Sequence, residues 1–225
     1  MAKKEEATVV QIAKIKKKVV HVKLIGDSPL IMHAWSTKAK LMLLDAQQGK
    51  KKGKTKDFKN PVRDFIDSMY WISGKPDLPD NATEEQCEVA FNKAIADGAR
   101  FGFPCTAFKQ AGNSAAYRAG LVKNQMGLRA AYYIEPNDGE FIEIHGDTPI
   151  MREDMVRIGQ GVADIRYRAE FRNWWCEFNV VYSEQFGYDL SSIISVIDMG
   201  GTACGIGEWR PEKDGAFGTY HVCAE

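Results

Sequence analysis

Ala163-Asp-Ile-Arg-Tyr-Arg-Ala-Glu-Phe-Arg-Asn-Trp-Trp-Cys-Glu-Phe-Asn-Val-Val-Tyr182 is the stretch on which the fold turns. Its first half alternates cleanly. Ile165, Tyr167, Ala169 and Phe171 fall on one side, and Asp164, Arg166, Arg168 and Glu170 on the other. Strict alternation is the period of a half-buried strand. Arg172-Asn173 reads as a turn. Trp174 to Tyr182 returns as the partner strand, rich in aromatic and β-branched residues. Together they predict a central hairpin whose polar face carries arginines.

Upstream, Val19-Val-His-Val-Lys-Leu-Ile25 reads as a strand ending at Gly26, and Ser28 to His33 continues as an extended, bulged segment. Ser36 is placed to cap a helix through about Gln48. Residues 49–60 read as a loop. Asn60-Pro61 opens a short helix carrying Val62, Phe65, Ile66, Met69, Tyr70 and Trp71, because proline suits the first helical turn. Residues 74–82 make a linker. Thr83-Glu-Glu-Gln86 is a capping box and starts a helix to about Ala99. Phe103-Pro104 opens another, Cys105 to about Val122. Its small residues imply close packing on a sheet.

Ala130–Ile134 and Phe141–Ile144 flank Asn137-Asp138-Gly139, a hairpin signal. Residues 145–160 read as irregular. Asp189 caps a helix that Gly200-Gly201 ends. Two last strands, about Cys204–Arg210 and Phe217–Val222, surround a Pro211–Gly215 turn. Without its insertions the order is strand, helix, strand, strand, helix, strand. The expected fold class is therefore α+β, with a ferredoxin-like or RRM-like βαββαβ core. One domain spans 1–225, with insertions at 26–80 (helical, with a basic loop) and 125–160 (a hairpin and an arginine-containing loop).

Hydrophobic residues make up 44% of the 225 positions, enough for a substantial core. Thirty basic and thirty acidic residues cancel formally, but unevenly along the chain. Lys50, Lys51, Lys52, Lys54 and Lys56 form an almost purely basic run. Arg152, Arg157, Arg166, Arg168 and Arg172 form a second basic stretch. Local charge, not the net value, sets what a surface attracts. The five cysteines show no C-x-x-C spacing, so no zinc or redox motif is indicated, and no metal or cofactor is expected. No apolar run approaches the length of a membrane span, and no signal-peptide core follows the charged N-terminus. A cytoplasmic protein with no membrane partner is the expectation.

Six glycines (Gly200, Gly201, Gly205, Gly207, Gly215, Gly218) fall between 200 and 218, with Trp209, Arg210, Lys213 and Phe217 among them. Such a segment closes a sheet, or lets a backbone approach a nucleic acid. Arg166 and Arg168 either reach phosphates or pair with Asp164 and Glu170. Trp209 and Phe217 either stack on bases or fill core. Lys109, Arg210 and Lys213 add cations. His33, beside the basic insertion, is the best candidate for acid–base work among four histidines.

Three stretches resemble the RAMP superfamily of RRM-like proteins, in particular the backbone subunits that coat guide RNA in CRISPR effector complexes. More closely still, they resemble a family of small phage and prophage proteins of that type. The stretches are Gly26-Asp-Ser-Pro-Leu-Ile-Met-His33, Phe103-Pro-Cys-Thr-Ala-Phe-Lys109, and Met151-Arg-Glu-Asp-Met-Val-Arg157 running on to Arg166–Phe171 and Gly205-Ile-Gly-Glu-Trp-Arg-Pro-Glu-Lys213. The resemblance implies a bacterial-host cytoplasmic, non-enzymatic subunit. It would bind single-stranded RNA or DNA and self-associate into oligomers or filaments along the strand. It further implies that Lys50, Lys51, Lys52, Lys54, Lys56, Lys109, Arg152, Arg157, Arg166, Arg168, Trp209, Arg210, Lys213 and Phe217 face the nucleic acid. Two alternatives stay open at this point. One is a protein–protein role, as a phage inhibitor of host defence or a structural subunit. The other is a metal-independent RNA endonuclease using His33.

Overall fold

A computed structural model describes residues 13–35, 37–49, 59–158 and 161–223. The lysine run Lys50–Lys56 lies outside them. The protein is α+β, and the described residues form three antiparallel sheets that share one core.

Strand β1 (Lys18–Gly26) leads to a short β2 (Leu30–Met32) and helix α1 (Thr37–Gln47). Helix α2 (Pro61–Asp67) starts where Asn60 accepts the Arg63 amide and proline fills the first turn. Helix α3 (Glu84–Ala96) starts at Thr83, and both bonds of the capping box form. Helix α4 (Cys105–Arg118) follows Pro104 as expected.

Tyr70 and Trp71 were expected on the α2 helix. They belong instead to β3 (Tyr70–Ser73), which pairs with β4 (Arg100–Pro104). Neither strand was expected. The run Arg100-Phe-Gly-Phe-Pro104 is too short to show a period, and its phenylalanines meet Tyr70 and Phe171 edge-on and Trp71 at a tilt. Helix α5 (Gln125–Ala131), capped by Asn124, precedes β5 (Tyr132–Glu135).

The Asn137–Gly139 turn forms, but its flanks do not pair as a hairpin. β5 pairs with β9 (Trp175–Tyr182), and β6 (Phe141–Ile144) pairs with β4. The central hairpin is likewise corrected. β8 (Val162–Phe171) does not pair with β9. It lies between β2 and β7 (Ile150–Ile158), and the latter occupies the stretch expected to be irregular. Residues 172–174 therefore carry the chain from one sheet to another.

The four-stranded sheet runs β10-β1-β9-β5, with β10 at Tyr220–Val222. Helix α4 lies in sequence between β1 and β5, and α6 (Leu190–Ala203) between β9 and β10. Both helices cover one face. Phe108 of α4 meets Phe178 and Tyr220 there, with ring centroids 5.6 and 5.9 Å apart.

Gly200 and Gly201 do not end α6, which runs on to Ala203. They are buried contact points. A Cβ at Gly200 would lie 2.6 Å from the Gly112 backbone nitrogen of α4, and one at Gly201 would overlap the Tyr220 carbonyl oxygen. The helix uses glycine here for close approach, not for a cap. Gly201→Ala is therefore expected to destabilise the fold by roughly 1–3 kcal/mol, the range for overpacking against an unyielding neighbour. Chemical denaturation checks this, and an unchanged midpoint would refute the packing argument.

The two C-terminal strands expected around Pro211–Gly215 reduce to β10 alone. Residues 204–219 form turns and a single 3-10 turn at Pro211–Lys213.

Candidate functional site

Two features emerge where chemistry is concentrated. The first is the polar side of β8. Cross-strand register sets Arg152 opposite Arg168, and Asp154 opposite Arg166, so these residues share a face. The Gly-rich segment folds over its base.

Arg168 is only 2% exposed. One of its terminal nitrogens donates to Asp154 Oδ2 at 3.1 Å, and the other lies 3.3 Å from Glu208 Oε2 and 3.5 Å from His33 Nδ1. Arg152 donates to Asp154 at 2.7 Å and to Glu170 at 3.0 Å, and its guanidinium sits 4.6 Å from the Phe217 ring centre. Arg172 donates to Glu170 as well. Trp209 Nε1 is 3.4 Å from Asp154 Oδ2, and the Trp209 backbone is held at φ 53°, a strained region for so large a residue.

The His33 ring beside Glu208, together with Arg168 and Arg166, holds that carboxyl below its ordinary range against the effect of burial. Burial pushes Glu170 up, but Arg172 and Arg152 more than offset it and leave it low. Three guanidinium groups and three carboxylates thus neutralise one another, with His33 at the rim. A cleft of about 190 Å³ adjoins them, lined by His33, Tyr70, Gln110, Glu208, Arg210 and Glu212 among others.

This arrangement corrects the expectation for Arg168. It was assigned to phosphate but is enclosed by protein carboxylates. Arg152 is engaged in the same way, and Phe217 is half-buried beneath it. Arg210 donates to Glu212 and to the Gly207 carbonyl. Lys109 is half-buried and donates to the Arg129 carbonyl at 2.8 Å. Burial, then the Arg129 charge, lowers its pKa. Arg166 remains partly exposed, 3.6 Å from Asp164, which Lys59 also holds. The side chains of Arg157 and Lys213 are exposed and have no partner among the described residues. The structure therefore brings Arg152, Arg168, Trp209 and Phe217 together around Asp154. Lys109 stands elsewhere, beside α5.

The second feature is the face of the four-stranded sheet opposite α4 and α6. Register sets Ile25 opposite Trp175, Lys23 opposite Glu177, and His21 opposite Asn179. It sets Glu135 opposite Asn179 on the other flank, and His221 opposite Ile25. His21, Lys23, Asn179, Tyr133 and His221 are exposed, and Trp175 and Glu177 half-buried. Lys23 Nζ lies 4.4 Å from the Trp175 ring centre, and Lys17 Nζ 5.8 Å from that of Tyr133. The His145 ring stacks on Trp175 at 4.3 Å and 24°.

None of these residues was expected as a site. The signal was present in the alternation of Val19–Ile25, which places His21 and Lys23 on one side. His21 and His221, both on strands, are exposed on this face. His21 lies 3.6 Å from Glu177, and His221 is 2.6 Å from Asp27.

No protein-family model matches the chain, and no curated protein does either. Among the described residues, no group of three or more histidine, cysteine, aspartate or glutamate side chains is placed to hold a metal ion. No described helix is long and apolar enough to cross a membrane.

Proposed function

We propose that this protein is a non-catalytic binder of single-stranded nucleic acid, and that the strand lies across the open face of the β10-β1-β9-β5 sheet. The observation that carries the reading is the row of aromatic and cationic side chains on that face. Trp175 and Lys23 occupy the two central strands, β9 and β1, and Tyr133 and Lys17 flank them. Rings on an open sheet face accept unstacked bases, and lysines beside them accept phosphate; Tyr133 is exposed and Trp175 half-buried on this face.

The sheet order supports a split βαββαβ plan. In chain order the four strands are first, second, third and fourth as β1, β5, β9 and β10, and they lie in space as fourth, first, third, second. Helices α4 and α6 supply the two crossovers. This differs from the expected assignment in one respect. β5, inside the 125–160 insertion, takes the place first given to β8. The resemblance to RAMP proteins fits this plan, and self-association along a strand belongs to the same reading. Exposed Met155 and Ile165, directly opposite each other near the β7–β8 tip, support it by offering apolar surface.

Glu135 and Glu177 share the face, so stacking carries much of the affinity. Lys17 and Lys23 as its phosphate contacts give a salt slope of about −1.4, at roughly 0.7 per contact on a single strand. A steeper slope would assign further contacts to Lys50–Lys56, Arg157, Arg166 or Lys213. Size-exclusion chromatography with light scattering, with and without a single-stranded 40-mer of DNA or RNA, tests the reading. Co-elution as a salt-sensitive particle is the expected result. A particle that forms without nucleic acid and ignores it would instead favour the protein–protein role.

A further inference from the structure

A second cleft, of about 420 Å³, opens at the edge of the sheet face, where the chain passes from β6 to β7. That volume falls within the roughly 300–1,000 Å³ of small-ligand pockets. Its floor is apolar, made by Phe101, Ile144 and Phe171, all buried. Its rim is polar. The Arg100 guanidinium is fixed there by two bonds to Glu143, at 2.9 and 2.6 Å, and stands 3.6 Å from Asp138. Asp147 accepts from Asn173 at 2.7 Å, and Thr148 is exposed beside it. One wall is the stacked pair His145 and Trp175, whose backbones bond to each other in both directions at 2.9 Å.

We propose that this cleft binds one nucleobase. An apolar floor and a ring-stacked wall match the faces of a base, and a rim of mixed donors and acceptors matches its edge. A tyrosine or tryptophan side chain has one polar handle and would leave most of the rim unmatched. The carboxylates of Glu143 and Asp147 disfavour phosphate inside the cleft. The base is thus the part recognised, and any phosphate stays outside. As a pocket for one base of a bound strand, the site rests on the strand-binding reading. As a pocket for a free nucleotide, it does not.

The test is an NMR titration of the full chain with the four ribonucleoside 5′-monophosphates and with adenosine, observing the backbone amide signals of Phe101, Glu143, Asp147 and Thr148, which line the cleft and are not among the residues assigned to the strand face. Saturable shifts at about millimolar concentration or below are expected, with at least one base preferred, because the polar rim reads the base edge. Adenosine should bind as well as its monophosphate. His145→Ala should weaken binding about fivefold or more.

If no ligand moves these signals at about 5 mM, or if His145→Ala binds as the wild type does, the inference falls. The first of those outcomes does not depend on how the variant folds. A parallel titration with a single-stranded 12-mer separates the two sources. Strand binding with a silent cleft overturns this inference and leaves the strand-binding reading standing. A cleft that takes mononucleotides in a protein that binds no strand upholds the inference and overturns that reading.

Discussion

Arg168→Ala is expected to lower the stability of the fold by about 3–5 kcal/mol, the range for removing one partner of a buried ion pair. The side chain is 2% exposed and bridges Asp154 and Glu208. Its loss leaves Glu208 without its closest guanidinium and leaves Asp154 dependent on Arg152. It also opens a cavity under the Gly-rich segment. Arg168→Met restores volume but not charge, so it should recover only the packing part. Arg166→Ala, two residues away on the same face, should cost less than about 1 kcal/mol, because its pair with Asp164 is partly exposed. Urea denaturation of the three variants decides the matter. A loss below about 1 kcal/mol for Arg168→Ala would show that the network does not hold the segment in place.

The same variant has a pH signature. Glu208 and Glu170 both have lowered pKa values in the folded protein. A depressed carboxyl contributes stability above its unfolded pKa, and this is lost as pH falls through the folded value. The wild type should therefore weaken as pH drops below the ordinary carboxylate range. Arg168→Ala removes one of the cations that lower Glu208, so this part of the acid limb should flatten.

Arg166 and Arg168 also show what the sequence can and cannot reveal. Both sit in one alternating run, on one face, each next to an acidic residue. Nothing local separates them. What buries Arg168 and leaves Arg166 partly open is the Gly-rich segment folding over the base of β8 some forty residues later in the chain, together with His33 from the other side. Gly200-Gly201 presents the same ambiguity. A glycine pair after an apolar helix is a stop signal unless another backbone arrives there, and here α4 and Tyr220 do.

Signals that are complete within a few residues were legible. Thr83 with Gln86, Asn60 with Pro61, and Asp189 all start helices as read, the last by accepting the Ser192 amide. Strand pairing was not legible, because it depends on which neighbour lies across the ladder. Trp174 and Trp175 illustrate this. Read as the return of a hairpin, they look like ordinary strand residues. The chain instead crosses between sheets at this point, which sends Trp174 into the core, against Ser28 and Tyr220, and leaves Trp175 on the sheet face.

Trp175→Ala is expected to weaken binding of single-stranded nucleic acid by about 5- to 150-fold, corresponding to about 1–3 kcal/mol for one stacked base. The argument rests on position. Trp175 is on a central strand, half-buried so that its ring is fixed, and it has Lys23 at 4.4 Å. Lys23→Ala should weaken binding less in low salt and hardly at all in high salt, because its share is a screened phosphate contact. The double variant should fall short of the sum, since the lysine also touches the ring, and groups in contact couple. Trp175 does not anchor the helix-facing core, where Phe178 and Tyr220 meet α4. Trp175→Phe should therefore keep the fold and most of the affinity. Fluorescence anisotropy with a labelled single-stranded oligonucleotide measures all four variants. If Trp175→Ala and Lys23→Ala bind as tightly as the wild type while the strand still co-elutes, the strand lies elsewhere. The exposed Arg157 and Lys213 then become the groups to replace next.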